Sequence, residues 1–135
     1  MTRFVIGTDV ALHLARLGAA VPVQHRLLAP TLLRSQVLAR LYELARRGEL
    51  DERSAARQLD YLRALRLRLL GDRTLQRVAW DIARELGWPD TFMAEYLALT
   101  RLQADAFVCL DAELARAAAR VVPVASMAEL LGDAA

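Results

Sequence analysis

Asp9 and Asp111 are the residues of this chain whose type and position invite chemistry. Each follows a short apolar run that reads as a buried strand, Phe4-Val5-Ile6 before Gly7-Thr8-Asp9, and Phe107-Val108-Cys109-Leu110 before Asp111. In a parallel sheet, sites form beyond the carboxyl ends of the strands. If these two strands are neighbours, their carboxylates meet at one edge, where they repel unless a proton or a cation intervenes. Such a pair suits Mg²⁺ or Mn²⁺, hard cations that take oxygen ligands. The competing reading is that each Asp caps a helix, a position Asp favours. Spacing alone leaves both open.

The other reactive side chains offer less. His13 and His25 are far apart and lack companions for a zinc site. His13, four residues after Asp9, reads as a half-buried helical residue. Cys109 is the single cysteine, so it forms no internal disulfide, and its apolar surroundings suggest a buried thiol in a reducing cytoplasm. Trp80 and Trp88 fall in apolar patterns that predict core positions. Tyr42 and Tyr61, on neighbouring predicted helices, suit a subunit or partner surface.

The elements that must position the two acids can be read along the chain. Phe4-Val5-Ile6 is broken by Gly7, and Asp9 opens a helix through Leu12, Leu14 and Leu17 that Gly18 ends. Leu27-Leu28-Ala29 is a second strand. Pro30 closes it and starts a long helix with Leu33, Val37, Leu41 and Leu44 on one face. Gly48 suits its C-cap. Asp51 caps a helix bearing Ala55, Leu59, Leu62 and Leu65. Leu67-Arg68-Leu69-Leu70 reads as a third strand or as a continuation of that helix. Leu75, Val78, Ala79, Ile82 and Leu86 mark the next helix, and Gly87-Trp88-Pro89-Asp90 separates it from one through Tyr96, Leu97, Leu99 and Thr100. A strand to Leu110, a helix over 113–119 and a strand over 121–124 complete the chain. Short apolar strands alternating with helices predict a parallel sheet covered on both faces, a three-layer α/β/α domain.

Length and charge narrow the field further. A chain of 135 residues fits one domain, 1–135, and buries roughly two-thirds of its unfolded surface without staples. With 56% apolar and 25% charged residues it is neither disordered nor low in complexity. No stretch approaches the ~18 uncharged apolar residues of a membrane span, and the N-terminal apolar run is too short for a signal peptide. All 18 basic residues are Arg, and the net charge is only +2, so no whole-molecule field for nucleic acid exists. Residues 40–73 are locally basic, with nine Arg against six acids. That excess fits RNA backbone binding. It equally fits a solvated helix face with pairs such as Glu43 with Arg47 and Glu49 with Arg53.

Four segments in order carry a resemblance: Phe4-Val5-Ile6-Gly7-Thr8-Asp9-Val10, Leu28-Ala29-Pro30-Thr31-Leu32-Leu33-Arg34-Ser35-Gln36-Val37, Met93-Ala94-Glu95-Tyr96-Leu97-Ala98-Leu99 and Phe107-Val108-Cys109-Leu110-Asp111. Together they resemble a PIN domain, the small nuclease domain of virulence-associated protein C (VapC) toxins of toxin–antitoxin systems. The resemblance implies a small parallel sheet between helices and cleavage of RNA with Mg²⁺ or Mn²⁺ held by acidic side chains. It also implies an antitoxin partner and a homodimer, for which a chain rich in apolar residues has surface to spare.

The acidic cluster departs from the family pattern. Its first acid falls on Gly7, its second on Gln36 and its third on Met93; only the fourth, Asp111, is kept, while Asp9 matches an auxiliary Asn or Asp position. Gln36 retains a carbonyl oxygen, Gly7 offers only backbone, and a thioether is a poor ligand for Mg²⁺. The resemblance therefore admits two functions. One is an endoribonuclease working through Asp9 and Asp111, with a remodelled metal set of Asp9, Gln36, Asp90 and Asp111, Asp90 lying one helical turn before Met93. Asp90 also reads as a simple N-cap. The other is an inactive PIN-like domain that binds RNA or protein.

Overall fold

The computed structural model describes residues 1–132. Five parallel strands form one sheet: β1 (Thr2–Ile6), β2 (His25–Pro30), β3 (Leu67–Leu70), β4 (Ala106–Val108) and β5 (Val124–Ala125), in the order β3-β2-β1-β4-β5. The intervening helices are α1 (Thr8–Leu17), α2 (Leu33–Arg46), α3 (Glu52–Ala64), α4 (Arg73–Leu86), α5 (Phe92–Gln103), α6 (Ala112–Ala118) and α7 (Met127–Leu131). The fold is three-layer α/β/α, as the alternation of apolar strands and helices predicts. No helix among the described residues is long and apolar enough to cross a membrane.

Burial explains why the strands read as unbroken apolar runs. Phe4, Val5 and Ile6 of β1 and Phe107 and Val108 of β4 are all buried, because helices cover both faces of the sheet centre. α5 lies against β1 and β2 and pairs with α4, while α1, α2 and α3 pack on one another. Ile6, Leu14, Leu41, Ile82, Leu97 and Phe107 are almost wholly removed from water. Each such side chain contributes roughly 1.5–3 kcal/mol by its transfer from water.

Local signals set most element ends. Asp51 caps α3 by accepting from the Ser54 amide at 2.7 Å, as its position predicts. Asp72 does the same for α4 with the Leu75 amide at 2.8 Å. The segment 67–70, ambiguous in sequence, is a strand registered on β2, with Leu27 opposite Leu67 and Pro30 opposite Leu70. Pro30 thus ends a strand rather than starting a helix, and α2 begins at Leu33.

Several expectations shift. The last strand lies at Val124–Ala125, because the amides of Val121 and Val122 turn back to the Ala118 carbonyl. α7, unread in sequence, is held by a capping box between Ser126 and Glu129. Glu43 pairs with Arg47 as expected, but Glu49 also pairs with Arg47 instead of Arg53. Trp80 is 65% exposed and Trp88 half-buried, so neither is deep core. Ala79, Ile82 and Ala83 form the inward face of α4, and Trp80 points away from them. Tyr42 is exposed, whereas the Tyr61 hydroxyl is turned inward to donate to the Ala19 carbonyl at 2.6 Å.

Candidate functional site

β1 and β4 are adjacent, with Ile6 opposite Val108, and the Gly7 amide donates to the Val108 carbonyl at 3.0 Å. The two strand-end acids therefore come to one edge of the sheet, as their positions in sequence anticipate if those strands are neighbours. What each does there is different. Asp111 is the N-cap of α6 and accepts from the Glu113 amide at 2.9 Å; it is exposed. Asp9 is no cap, since Gly7 holds the N-cap position of α1. Its Oδ1 accepts from the Val10 amide at 2.7 Å and its Oδ2 from the Leu110 amide at 2.8 Å. Asp9 is a staple that ties the start of α1 to the chain leaving β4.

That staple explains Gly7. The backbone there has φ −73°, a conformation any residue adopts, so conformation does not demand glycine. Space does. A Cβ at position 7 would lie 2.8 Å from Asp9 Oδ1, with Phe107 and the Val108 carbonyl 3.6 Å away. Because Asp9 is pinned by two amides, any side chain at position 7 must displace it.

Beside the two acids lies a neutral polar network. The Tyr96 hydroxyl donates to Gln36 Oε1 at 2.6 Å, the Thr8 hydroxyl donates to the same oxygen at 3.0 Å, and the two hydroxyls are 2.9 Å apart. It joins α1, α2 and α5, elements distant in sequence. Tyr96 is fully buried, and burial pushes its hydroxyl up to about 12, with the charges of Glu95 and Asp9 acting the same way. At neutral pH the phenol is a donor, not a base.

The remaining candidates stand apart. Asp90 is exposed and accepts from the Phe92 amide at 3.2 Å, while the N-cap of α5 is Thr91. Met93 is half-buried and packs against the core. Burial raises the carboxyl of Glu95 above its ordinary range. Cys109 is half-buried rather than fully enclosed, and burial, then the charges of Asp9 and Asp111, push its thiol up to about 11. It is therefore a protonated, poorly nucleophilic thiol at neutral pH.

Most of the oxygens that could face a divalent cation here already accept hydrogen bonds from the protein itself. Both lone pairs of Gln36 Oε1 already accept hydroxyl protons. Both oxygens of Asp9 accept backbone amides, and Asp111 caps a helix. Among the described residues no three His, Cys, Asp or Glu side chains form a group that could hold a metal ion. Sequence reasoning named Asp9, Gln36 and Asp111 but not Thr8 or the role of Tyr96. The available signal was a hydroxyl-bearing residue directly after Gly7 and a Tyr amid the apolar residues of the late helix.

Replacing Asp9 by Ala is expected to destabilise the domain by about 2 kcal/mol, because hydrogen bonds to a charged acceptor contribute roughly 1.5–3 kcal/mol and this one is partly screened by water. Urea unfolding checks it. Asp9→Asn, which keeps one acceptor oxygen, should lose about half as much.

Comparison with known proteins bears on the fold. No family model matches the chain, and no curated protein matches it. The crystal structure of PAE2754 from Pyrobaculum aerophilum superposes with a TM-score of 0.71 over 97% of this chain and 93% of that one, at 21% sequence identity. At that identity the likeness speaks to the shared architecture.

Proposed function

We propose that this chain is a non-catalytic domain of the PIN type, which acts by binding RNA or protein rather than by cleaving RNA. The observation that carries the reading is the neutral Thr8–Gln36–Tyr96 network, which occupies the end of the sheet where the resembled family gathers its acidic side chains. Phosphodiester cleavage with divalent cations needs carboxylate oxygens free to bind the ions and orient an attacking water. Here the oxygens of Gln36 and Asp9 serve the protein's own hydroxyls and amides. An antitoxin-like partner and a homodimer belong to the same reading through the resemblance.

The nuclease reading has one observation in its favour, the placement of Asp9 and Asp111 at the ends of adjacent strands. Calorimetric titration of Mn²⁺ into the purified protein separates the two. The expected result is no saturable binding up to millimolar Mn²⁺, in the parent and in Asp111→Asn alike. Micromolar binding that disappears in Asp111→Asn would overturn the non-catalytic reading and return a metal-dependent endoribonuclease.

A further inference from the structure

The amino-terminal end of the sheet, opposite the site described above, carries a cleft of about 620 Å³ lined by Arg3, Arg26, Arg66, Arg68 and Gln103. Register explains the convergence. Arg3 of β1 lies opposite Arg26 of β2, and Arg68 of β3 lies opposite Leu28, two residues beyond Arg26. Side chains two apart on a strand share a face. The arginines of three adjacent strands therefore emerge on one side, strands being ~4.8 Å apart. Gln103, the last residue of α5, closes the rim.

Among the described residues these guanidinium groups have no ion-pair partner. The ion pairs among the described residues involve Arg40, Arg47, Arg63 and Arg84, and none involves Arg3, Arg26, Arg66 or Arg68. Arg26 Nε donates to the sulfur of Met1, which carries no charge. Among the described residues no carboxylate lines the cleft. The acid bordering it is Asp105, whose Oδ2 accepts from the Arg3 backbone amide at 2.8 Å. Four arginines on helices or just past a helix end, Arg40, Arg47, Arg63 and Arg84, pair with Asp or Glu; the four at the cleft sit together in a concavity and repel one another.

We propose that this cleft binds a ligand carrying two or more phosphate groups. The guanidinium fork matches phosphate oxygens with paired hydrogen bonds. A single carboxylate would neutralise one of four cations, whereas linked phosphates spaced over adjacent strands meet several at once. The cleft lies within the volume range of small-molecule sites, and Val23 and Leu67 give it an apolar wall. The phosphates come either from a free nucleotide or from the backbone of an RNA strand. The inference stands apart from the non-catalytic reading, because it concerns the other end of the sheet.

The test uses the full chain at 0.1 M salt with two probes, ATP without divalent cation and a fluorescein-labelled, unstructured ten-nucleotide RNA. Saturable binding of at least one probe is expected, weakened ten- to a hundredfold by Arg26→Glu or Arg68→Glu. The neutral Arg68→Gln should give a smaller loss in the same direction, and it guards against a charge-reversed chain that fails to fold. Arg84→Glu, on the ion-paired outer face of α4, should leave binding unchanged. Displacement of the RNA by ATP would assign the site to nucleotide phosphates. RNA binding that ATP does not displace, with a salt dependence that flattens in the Arg variants, would assign it to the strand backbone. Absence of binding of both probes below millimolar concentration, or binding indifferent to Arg26→Glu and Arg68→Glu, would overturn the proposal. The Mn²⁺ titration reads the other end of the sheet, so either inference can fail alone.

Discussion

Combining Gly7→Asp, Gln36→Glu and Met93→Glu in one chain is expected to create Mn²⁺ binding of micromolar strength where the parent shows none below millimolar, a gain of about a thousandfold. The three changes place carboxylates at the positions where the resembled PIN pattern has its acids, around the retained Asp111. At an effective dielectric near 20, each carboxylate ~4 Å from a divalent ion contributes several kcal/mol of raw attraction. Desolvation and mutual repulsion offset most of it, and a net gain of about 4 kcal/mol suffices for a thousandfold. The same changes should destabilise the metal-free chain. A side chain at position 7 meets Asp9 Oδ1 at 2.8 Å and must drive it off the Val10 and Leu110 amides. Gln36→Glu would set a charge against the buried Tyr96 hydroxyl. Added Mn²⁺ should therefore raise the melting temperature of the triple variant and leave that of the parent unchanged. A folded triple variant with no saturable Mn²⁺ binding would sink the equivalence of this sheet edge with an acidic PIN site.

Tyr96 is the side chain on which the edge depends most. It is fully buried and its ring lies 6.3 Å from that of Phe107. Tyr96→Ala is expected to cost about 4 kcal/mol, the range for emptying an aromatic core position. Tyr96→Phe keeps the ring and removes the hydroxyl, so about 1.5 kcal/mol is expected, softened because Thr8 can still donate to Gln36. The two variants, compared by chemical denaturation, separate packing from hydrogen bonding. A Phe variant as unstable as the Ala variant would assign the stability to the network instead.

The hydroxyl also gives the stability a pH dependence of definite sign. Its pKa rises from 10 when exposed to about 12 in the fold. The contribution is fully present below pH 10 and is lost as the pH climbs towards 12, because the unfolded chain releases its proton first. About 2–3 kcal/mol should disappear across that window, and Tyr96→Phe should abolish this part of the slope. Cys109 adds a loss of the same sign from pH 9 towards 11, so the comparison is cleanest in a Cys109→Ala background.

Much of the architecture was legible because both faces of the sheet are covered. β1, β2 and β4 stand out as short apolar runs, and glycines or an aspartate cap mark helix ends where the local backbone requires them. β5 was misplaced and α7 missed because each is only a few residues long and is set by local turns and a capping box. Trp80 was misassigned because an apolar residue beside Ala79 reads as core until the neighbouring helix shows which face is inward.

The candidate site divides along the same line. Residue types alone put Gly, Gln and Met at positions 7, 36 and 93 and place Asp9 and Asp111 after strand-like apolar runs. Those are facts of residue type, and side-chain chemistry follows from type alone. Long-range packing, by contrast, brings Gln36 to Tyr96, 60 residues away, with Thr8 completing the network. It also decided that Asp9 fills the space a side chain at position 7 would need, and that arginines of three strands share one cleft. Strand order and register bring these groups together, and both are settled by long-range packing rather than by any residue's neighbours in the chain.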